Sequence, residues 1–341
     1  MKRFWHIGCL LLCVFAVLCG CKPKVEHATA LDFRMNTWVS QEWYGALAQQ
    51  TCDEIDSQLA ALEKKVSIYV DDSDVSRINA AAGKEYVKVS DEVFYLIKNS
   101  LKVCEEYGGL FDISIAPLSV LWNVTSDEPT VPSEQDILDA KANVDYQKVL
   151  LDEATHSVML SEEGMRLDLG GAAKGWAVGK MEEIVRKNNV SGYLSVGGNM
   201  LVVGKKPGGS DFLIGVRDPR GDSSDYFASV AMDGYTMATT GDYERYFEKD
   251  GVRYHHVIDP FTGFPSDKEL ISVTVINKDG LLADCMSTAV FLKGREGLSD
   301  ALARTDCMII AVTEENEIYA SPSAWKIIKP NTKTQYIFKN S

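Results

Sequence analysis

The chain has 341 residues, a formal net charge of −14, 45% hydrophobic residues and 9% aromatics. That apolar content predicts a packed core and excludes a disordered chain. The acidic balance excludes a nucleic-acid binder, because a phosphate backbone requires a basic footprint.

The N-terminus carries Lys2 and Arg3, an apolar run from Ile7 to Leu18, and then "LCGC" ending at Cys21. The run is shorter than the ~20 apolar residues of a membrane span. A basic start, a short apolar stretch and small residues before a cysteine describe an export signal. The ending resembles a lipoprotein signal, with Cys21 as the lipidated first residue of the mature chain. The expected organisation is a signal over residues 1–20, a polar tether over 21–30, and one domain over 31–341. The expected location is outside the cytoplasm, anchored by lipid at the periplasmic face of the inner membrane or at the cell surface. Removing Lys2 and Arg3 takes the formal charge from −14 to −16. The remaining cysteines, Cys52, Cys104, Cys285 and Cys307, have neither zinc nor CxxC spacing. Cys285 and Cys307 sit in apolar stretches that suit small buried side chains.

Downstream, "EWYGALAQQTCDEIDSQLAALEKK" spaces Tyr44, Leu47, Ala48, Cys52, Ile55, Leu59 and Leu62 at three and four residues, predicting a long amphipathic helix. "VSIYV" (residues 66–70) reads as a strand carrying Tyr69. A helix over Asp91–Glu106 has Ser90 as N-cap, acids in its first turn and Gly108-Gly109 as its stop. Another near Glu134–Ala142 is capped by Ser133, followed by the strand-like "KVLLD" and "HSVMLS". A helix then places Ala177, Met181, Ile184 and Val185 on one face. The runs "YLSVGGNMLVVG", "DFLIGVRD", "YFASVAM", "LISVTVIN" and "CMIIAVT" read as strands, with helices near Ala283–Leu292 and Glu296–Ala303. Helices gather in the first half and hairpin-spaced strands in the second. The fold class expected is α+β with a mixed or antiparallel sheet core.

The stretch "LDLGGAAKGWAVGK" (Leu167–Lys180) has neither dinucleotide-fold nor P-loop spacing. Gly170 and Gly171 nevertheless allow backbone to approach a ligand, and the helix that follows offers free N–H groups and a positive dipole end to an anion. Lys174 adds a point charge, and Asp168 precedes the glycines. A ligand loop and a tight corner both fit this stretch alone. Farther on, "HHVIDPFTGFP" pairs His255 with His256, and "ADCMSTAVFLKG" sets Asp284 and Thr288 four apart on one helix face beside Ser287. Carboxylate and hydroxyl are hard oxygen donors suited to Mg²⁺ rather than zinc. The same residues also fit a helix-start acid and hydroxyls bonded back to the preceding turn.

Nine segments in order resemble the ApbE family of FAD:protein FMN transferases: "MNTWVS", "SIYVDDSDVSRIN", "GGLFDISIAPLSVLW", "LDLGGAAKGWAVGK", "YLSVGGN", "GVRDPR", "MATTGDYERYF", "HHVIDPFTGFP" and "ADCMSTAVF". The resemblance implies a T-fold-like α+β architecture and cleavage of FAD at its pyrophosphate. FMN passes to a threonine hydroxyl of a target protein carrying a D-x-x-T-x-A-T-like signal, and AMP leaves. Exported subunits of Rnf- or Nqr-type redox complexes are the implied targets. The implied Mg²⁺ ligands are Asp284, Thr288, Ser287 and the Gly171 carbonyl. Met35, Tyr69, Leu110, Phe111, Asp112, Asp168, Lys174 and His256 are the implied FAD contacts. His256 is the implied base for the acceptor hydroxyl, with Asp284 also catalytic, whereas Asp259 fixes a turn and His255 is structural or exposed. Trp122 and Trp176 read as packing. An aromatic at the Tyr69 position goes with transfer in the family. Two alternatives share the site: a Mg²⁺-dependent FAD pyrophosphatase releasing free FMN and AMP, and a non-catalytic FAD-binding lipoprotein. The internal "DGYTMATT" (Asp233–Thr240) looks like an acceptor signal but falls on the family's own "ATTGDY" strand turn.

Overall fold

The computed structural model describes residues 26–339, so the expected signal, Cys21 and the start of the expected tether lie outside the described residues. Strand β1 (His27–Arg34) begins inside the stretch expected as tether and pairs along its whole length with β2 (Thr37–Tyr44) through a two-residue turn. Met35 and Asn36 hold φ of 52° and 58° there, the left-handed pair that a tight hairpin turn requires. The long helix predicted from Glu42 starts only at Ala48 (α1, Ala48–Val66). Residues Glu42–Tyr44 complete β2 instead, and Gly45 makes the corner between the two periodicities. "VSIYV" is not a strand: α1 runs to Val66 and a turn follows, leaving Tyr69 77% exposed.

The chain continues through α2 (Asp74–Ala80), β3 (Val87–Lys88), α3 (Asp91–Glu106), α4 (Ala116–Trp122) and α5 (Glu134–Lys141) to the strands β4 (Val149–Asp152) and β5 (Ser157–Leu160). Helix α3 has the expected bounds, but Ser90 does not cap it. Its hydroxyl donates instead to Asp74 of α2 at 2.6 Å, tying the two helix starts together. In α5 the Ser133 oxygen does accept the Asp136 N–H, as read from sequence. Then come α6 (Ala173–Lys187), β6 (Ser191–Val196), β7 (Asn199–Val203), β8 (Leu213–Arg217), β9 (Tyr226–Ala231) and β10 (Tyr235–Gly241). The hairpin β11 (Tyr246–Lys249) and β12 (Val252–His255) precedes β13 (Leu270–Asn277), α7 (Gly280–Lys293) and α8 (Leu298–Leu302). The last elements are β14 (Met308–Thr313), β15 (Glu317–Ala320), α9 (Pro322–Trp325), β16 (Ile328–Pro330) and β17 (Ile337–Lys339).

Nine strands form one sheet in the order β1-β2-β6-β7-β10-β13-β14-β15-β17, antiparallel except for the parallel β15–β17 pair. The α+β expectation with a mixed sheet therefore holds. One face packs on α1, α6 and α7, and the other is partly covered by the three-stranded sheet β16-β9-β8. Strand β13 is buried at all eight positions because helix lies on one side of it and the second sheet on the other. Cys52, Cys104, Cys285 and Cys307 are free thiols, all buried. Among the described residues no helix is long and apolar enough to cross a membrane.

Helices α6 and α7 meet backbone to backbone. A Cβ on Gly175 would land on the Gly280 carbonyl and lie 2.5 Å from Asp284 Cβ, and one on Gly280 would collide with the Gly175 carbonyl. Only glycine on both sides permits this approach, so Gly175→Ala should force the helices apart and destabilise the fold by about 2 kcal/mol. A denaturant midpoint unchanged from that of the parent chain would show that the crossing relaxes freely.

Candidate functional site

The glycine turn is fixed before it reaches any ligand. Asn79, on α2, accepts the Leu167 N–H at 2.7 Å and donates to its carbonyl at 3.1 Å. The Asp168 N–H bonds Ile113 O at 2.8 Å. Asp168 then folds the turn itself, accepting the Gly170 N–H at 2.8 Å and the Ser119 hydroxyl at 3.0 Å. Both carboxylate oxygens are therefore engaged in holding the loop.

The N-cap of α6 is Ala172, which has no side chain able to cap. The missing acceptor comes from α7: Asp284 Oδ2 takes the Gly175 N–H at 2.8 Å. Asp284 is 5% exposed and, among the described residues, has no Lys or Arg partner. A buried carboxylate without a counter-charge is costly, and a bound cation is one way to compensate it.

One turn farther along α7, the Thr288 hydroxyl faces Gly171, 3.6 Å from where a Cβ would sit there. Thr240, at the end of β10, bonds both neighbours, at 2.7 Å to Ser287 Oγ and 3.0 Å to Thr288 Oγ1. Ser287 is fully buried and donates its proton back to Asp284 O at 2.8 Å, so its oxygen accepts from Thr240. The groups that α7 brings to the glycine loop are thus a carboxylate and a hydroxyl. Both are oxygen, a set that fits Mg²⁺. No cluster of three or more His, Cys, Asp or Glu occurs among the described residues. The Phe111 ring closes the other side of Gly171, at 3.1 Å from the same Cβ position.

A second group lies beside this one. His256 is exposed on one face but otherwise ringed by protein. That enclosure pushes its pKa below the ordinary 6.5, and the charges of Arg245, His255 and Lys174 push the same way. The open face keeps part of the ring hydrated, which makes the depression milder than in a sealed site. His256 Nδ1 lies 3.2 Å from Arg245 O, and a carbonyl can only accept. The proton therefore sits on Nδ1, and Nε2 carries the free lone pair. Lys174 Nζ donates to Gly170 O at 2.8 Å, and Arg245 donates to Asn36 O at 3.2 Å. The hairpin tip, the histidine segment and the glycine loop are joined in one rim.

The structure brings Gly171, Phe111, Asp284, Ser287 and Thr288 together, with Lys174, Asp168 and His256 on the adjoining wall. Met35 joins only through the hairpin tip. The three remaining expected contacts, Tyr69, Leu110 and Asp112, have surroundings of their own. Tyr69 is on an exposed turn, and Leu110 lines a cavity of about 230 Å³ with Tyr107, Ala301 and Arg304. Asp112 is 8% exposed, with burial raising its pKa, and its oxygens are taken by Ser114 N, Ser114 Oγ and Tyr146 N at 2.7–3.0 Å. It organises the loop from beneath. His255 is buried against Ser266 O, Asp259 binds Lys268 and the turn N–H of Phe261, and the Trp122 indole N–H bonds Gly263 O. Trp176 is buried under Lys180. In the internal acceptor-like segment, Thr236 is 1% exposed on β10, and the half-buried Thr239 holds its hydroxyl 2.8 Å from Thr274 Oγ1. Thr240 and Arg245 were not singled out from sequence. Both lie in "ATTGDYER", and their signal was the motif's position rather than its residue types.

The ApbE family model matches residues 35–311. The chain belongs to the ApbE family. An FAD:protein FMN transferase of Klebsiella pneumoniae is 38% identical over 252 residues, covering 73% of this chain and 78% of that protein. Another, of Treponema pallidum, is 31% identical over 86% of each chain. The crystal structure of the ApbE protein of Thermotoga maritima superposes with a TM-score of 0.82 at 32% identity, over 89% of this chain and 99% of that one.

Thr240→Val should leave Thr288 without its hydroxyl partner and raise the Mg²⁺ concentration needed for half-maximal thermal stabilisation roughly ten- to a hundredfold. Unchanged Mg²⁺ dependence in a melting titration would remove Thr240 from the site.

Proposed function

We propose that this chain moves FMN from FAD to a threonine hydroxyl of an exported protein in a Mg²⁺-dependent reaction, releasing AMP, while held to the membrane by a lipid on Cys21. The coarser statement, that an ApbE-family chain of this kind is a flavin transferase, agrees with the names of its relatives. The observation that carries the finer reading is Asp284. It is a buried, uncompensated carboxylate beside Thr288 and the Gly171 backbone, next to a histidine whose free nitrogen faces outward.

Asp284, Thr288 and the Gly171 carbonyl would hold Mg²⁺, with Ser287 supporting Asp284 through its own helix. Bound there, the ion would supply charge neutralisation for a pyrophosphate. The rest falls to the chain's own groups. The start of α6, whose first turn is uncapped by its own sequence, and the Lys174 ammonium favour an anionic pyrophosphate at the glycine turn. His256 Nε2 accepts the proton of the acceptor threonine. The threonine oxygen bonds the FMN-side phosphorus, the bond from that phosphorus to the bridging oxygen breaks, and AMP leaves with that oxygen. Phe111 packs against Gly171 and keeps water from that side. The acceptor is expected to be a redox-complex subunit of the Rnf or Nqr type with a D-x-x-T-x-A-T-like segment.

Incubating the mature chain with FAD, Mg²⁺ and a peptide bearing that segment should give a fluorescent, covalently labelled peptide, and Asp284→Ala should abolish labelling. Free FMN and AMP with unlabelled peptide would instead establish a pyrophosphatase. A depressed histidine pKa keeps the base neutral at pH values where an ordinary histidine is protonated. The acid limb of kcat/KM should therefore lie below pH 6.5 and vanish with transfer in His256→Ala, which still binds FAD. An acid limb at or above 6.5 would contradict the assignment of the base.

A further inference from the structure

The outer face of the β1–β2 hairpin is an unpartnered apolar surface. Leu31, Phe33 and Trp38 are 66%, 52% and 63% exposed, and Phe33 pairs directly with Trp38 across the hairpin, ring edge to ring face at 5.7 Å. Farther along the same sheet face, Tyr44, Tyr193 and Met200 pack under the β16-β9-β8 layer. That cover stops short of the hairpin tip. On the opposite face Arg34 is tied to Asp56 of α1. Toward the tip the outward positions Leu31, Phe33, Trp38 and Ser40 carry no charge; the acid on this face, Glu42 opposite Thr29, lies at the far end and is bonded to His27 and Tyr44.

The chain's path says what covers this face. Strand β1 begins at His27, six residues after Cys21, and six extended residues reach at most ~20 Å. A lipid on Cys21 would hold the hairpin within that distance of a bilayer. Tryptophan and other amphipathic rings favour the headgroup boundary. The anchored chain, at a formal −16 without Lys2 and Arg3, gains nothing from an anionic lipid surface by net charge, so an uncharged aromatic contact is the mode that remains.

We propose that the Leu31–Phe33–Trp38 face seats in the headgroup–acyl boundary of the membrane entered by the Cys21 lipid, a reading that rests on the lipoprotein assignment. The hairpin tip is also the rim of the site, because Asn36 O receives Arg245 beside His256. A seated hairpin therefore turns the site toward the bilayer. The substrates it favours are acceptor threonines held close to the membrane surface on anchored proteins, over the same segment free in solution.

Trp38 reports directly on this contact. Among the described residues Trp43, Trp122 and Trp176 are buried and Trp325 is half-buried, which leaves Trp38 as the exposed indole. The mature lipidated chain is placed in phosphatidylethanolamine–phosphatidylglycerol vesicles doped with dibrominated phosphatidylcholine. The emission difference between it and Trp38→Phe isolates the Trp38 signal, and mass spectrometry confirms the lipid on Cys21. Quenching of that signal by at least twofold is expected. The double variant Leu31→Ser/Phe33→Ser should lose the quenching and keep its rate on free acceptor peptide. Its rate on peptide tethered to the same vesicles should fall several-fold. A lipidated chain whose Trp38 stays unquenched overturns the seating and leaves the lipoprotein reading intact. Quenching absent with lipid, but Trp38 shielded on adding acceptor protein, overturns it in favour of protein docking. A chain without lipid on Cys21 overturns both.

Discussion

The hydrogen bond from the Gly175 N–H to the Asp284 carboxylate is the constraint on which the site depends. It is a helix cap supplied from 109 residues away. Helix α6 begins at an alanine that cannot cap it, and α7 lends the acid that does. The bond forms only because Gly175 and Gly280 let the two backbones touch. One oxygen of Asp284 thereby fixes its rotamer while the side chain stays without a cationic partner. A carboxylate held by a backbone N–H cannot swing to a surface lysine, so its charge remains directed at the glycine loop. Stability of the helix pair and competence of the site are the same contact.

Around that contact the protein concentrates positive charge against its own background. The chain is strongly acidic, yet the rim of the site carries Lys174 and Arg245, whose donors go to the carbonyls of Gly170 and Asn36 rather than to carboxylates. Bonding to carbonyls positions these cations without neutralising them. The other acids near the loop, Asp168 and Asp112, are saturated with hydrogen-bond donors and act as struts. Asp284 differs from them: among the described residues it has a backbone N–H partner and no cationic one.

How far this was legible in the sequence differs by element. Helices α3 and α5 could be read from their period, with a working Ser133 cap in α5 only, and strands β13 and β14 from their unbroken apolar runs. The start of α1 could not. The Glu42–Tyr44 stretch fits a helical period but is claimed by pairing with β6, a partner about 150 residues away. "VSIYV" failed for the opposite reason: its β-branched and aromatic residues suit a strand, but α1 extends through Val66 and no partner strand meets it. In the site, Asp284, Thr288, Gly171 and His256 were visible through motif resemblance. Thr240 was not, because a threonine on a strand carries no distinctive pattern. Its role appears only when β10 is laid beside α7. The hydrogen bonds of Asp112 to Ser114 and Tyr146 were hidden for a similar reason, since a motif gives position and not the direction in which a carboxylate points.

The bond from His256 Nδ1 to the main-chain carbonyl of Arg245 separates two properties that catalytic histidines usually take from one carboxylate partner. Here proton placement is written in the peptide backbone, and electrostatic tuning is left to side chains around the ring. Substituting the side chain at 245 would therefore change how readily the imidazole protonates without changing which nitrogen is free. Descendants of this chain have an adjustable acidity at the site with a tautomer that mutation at that position does not reach.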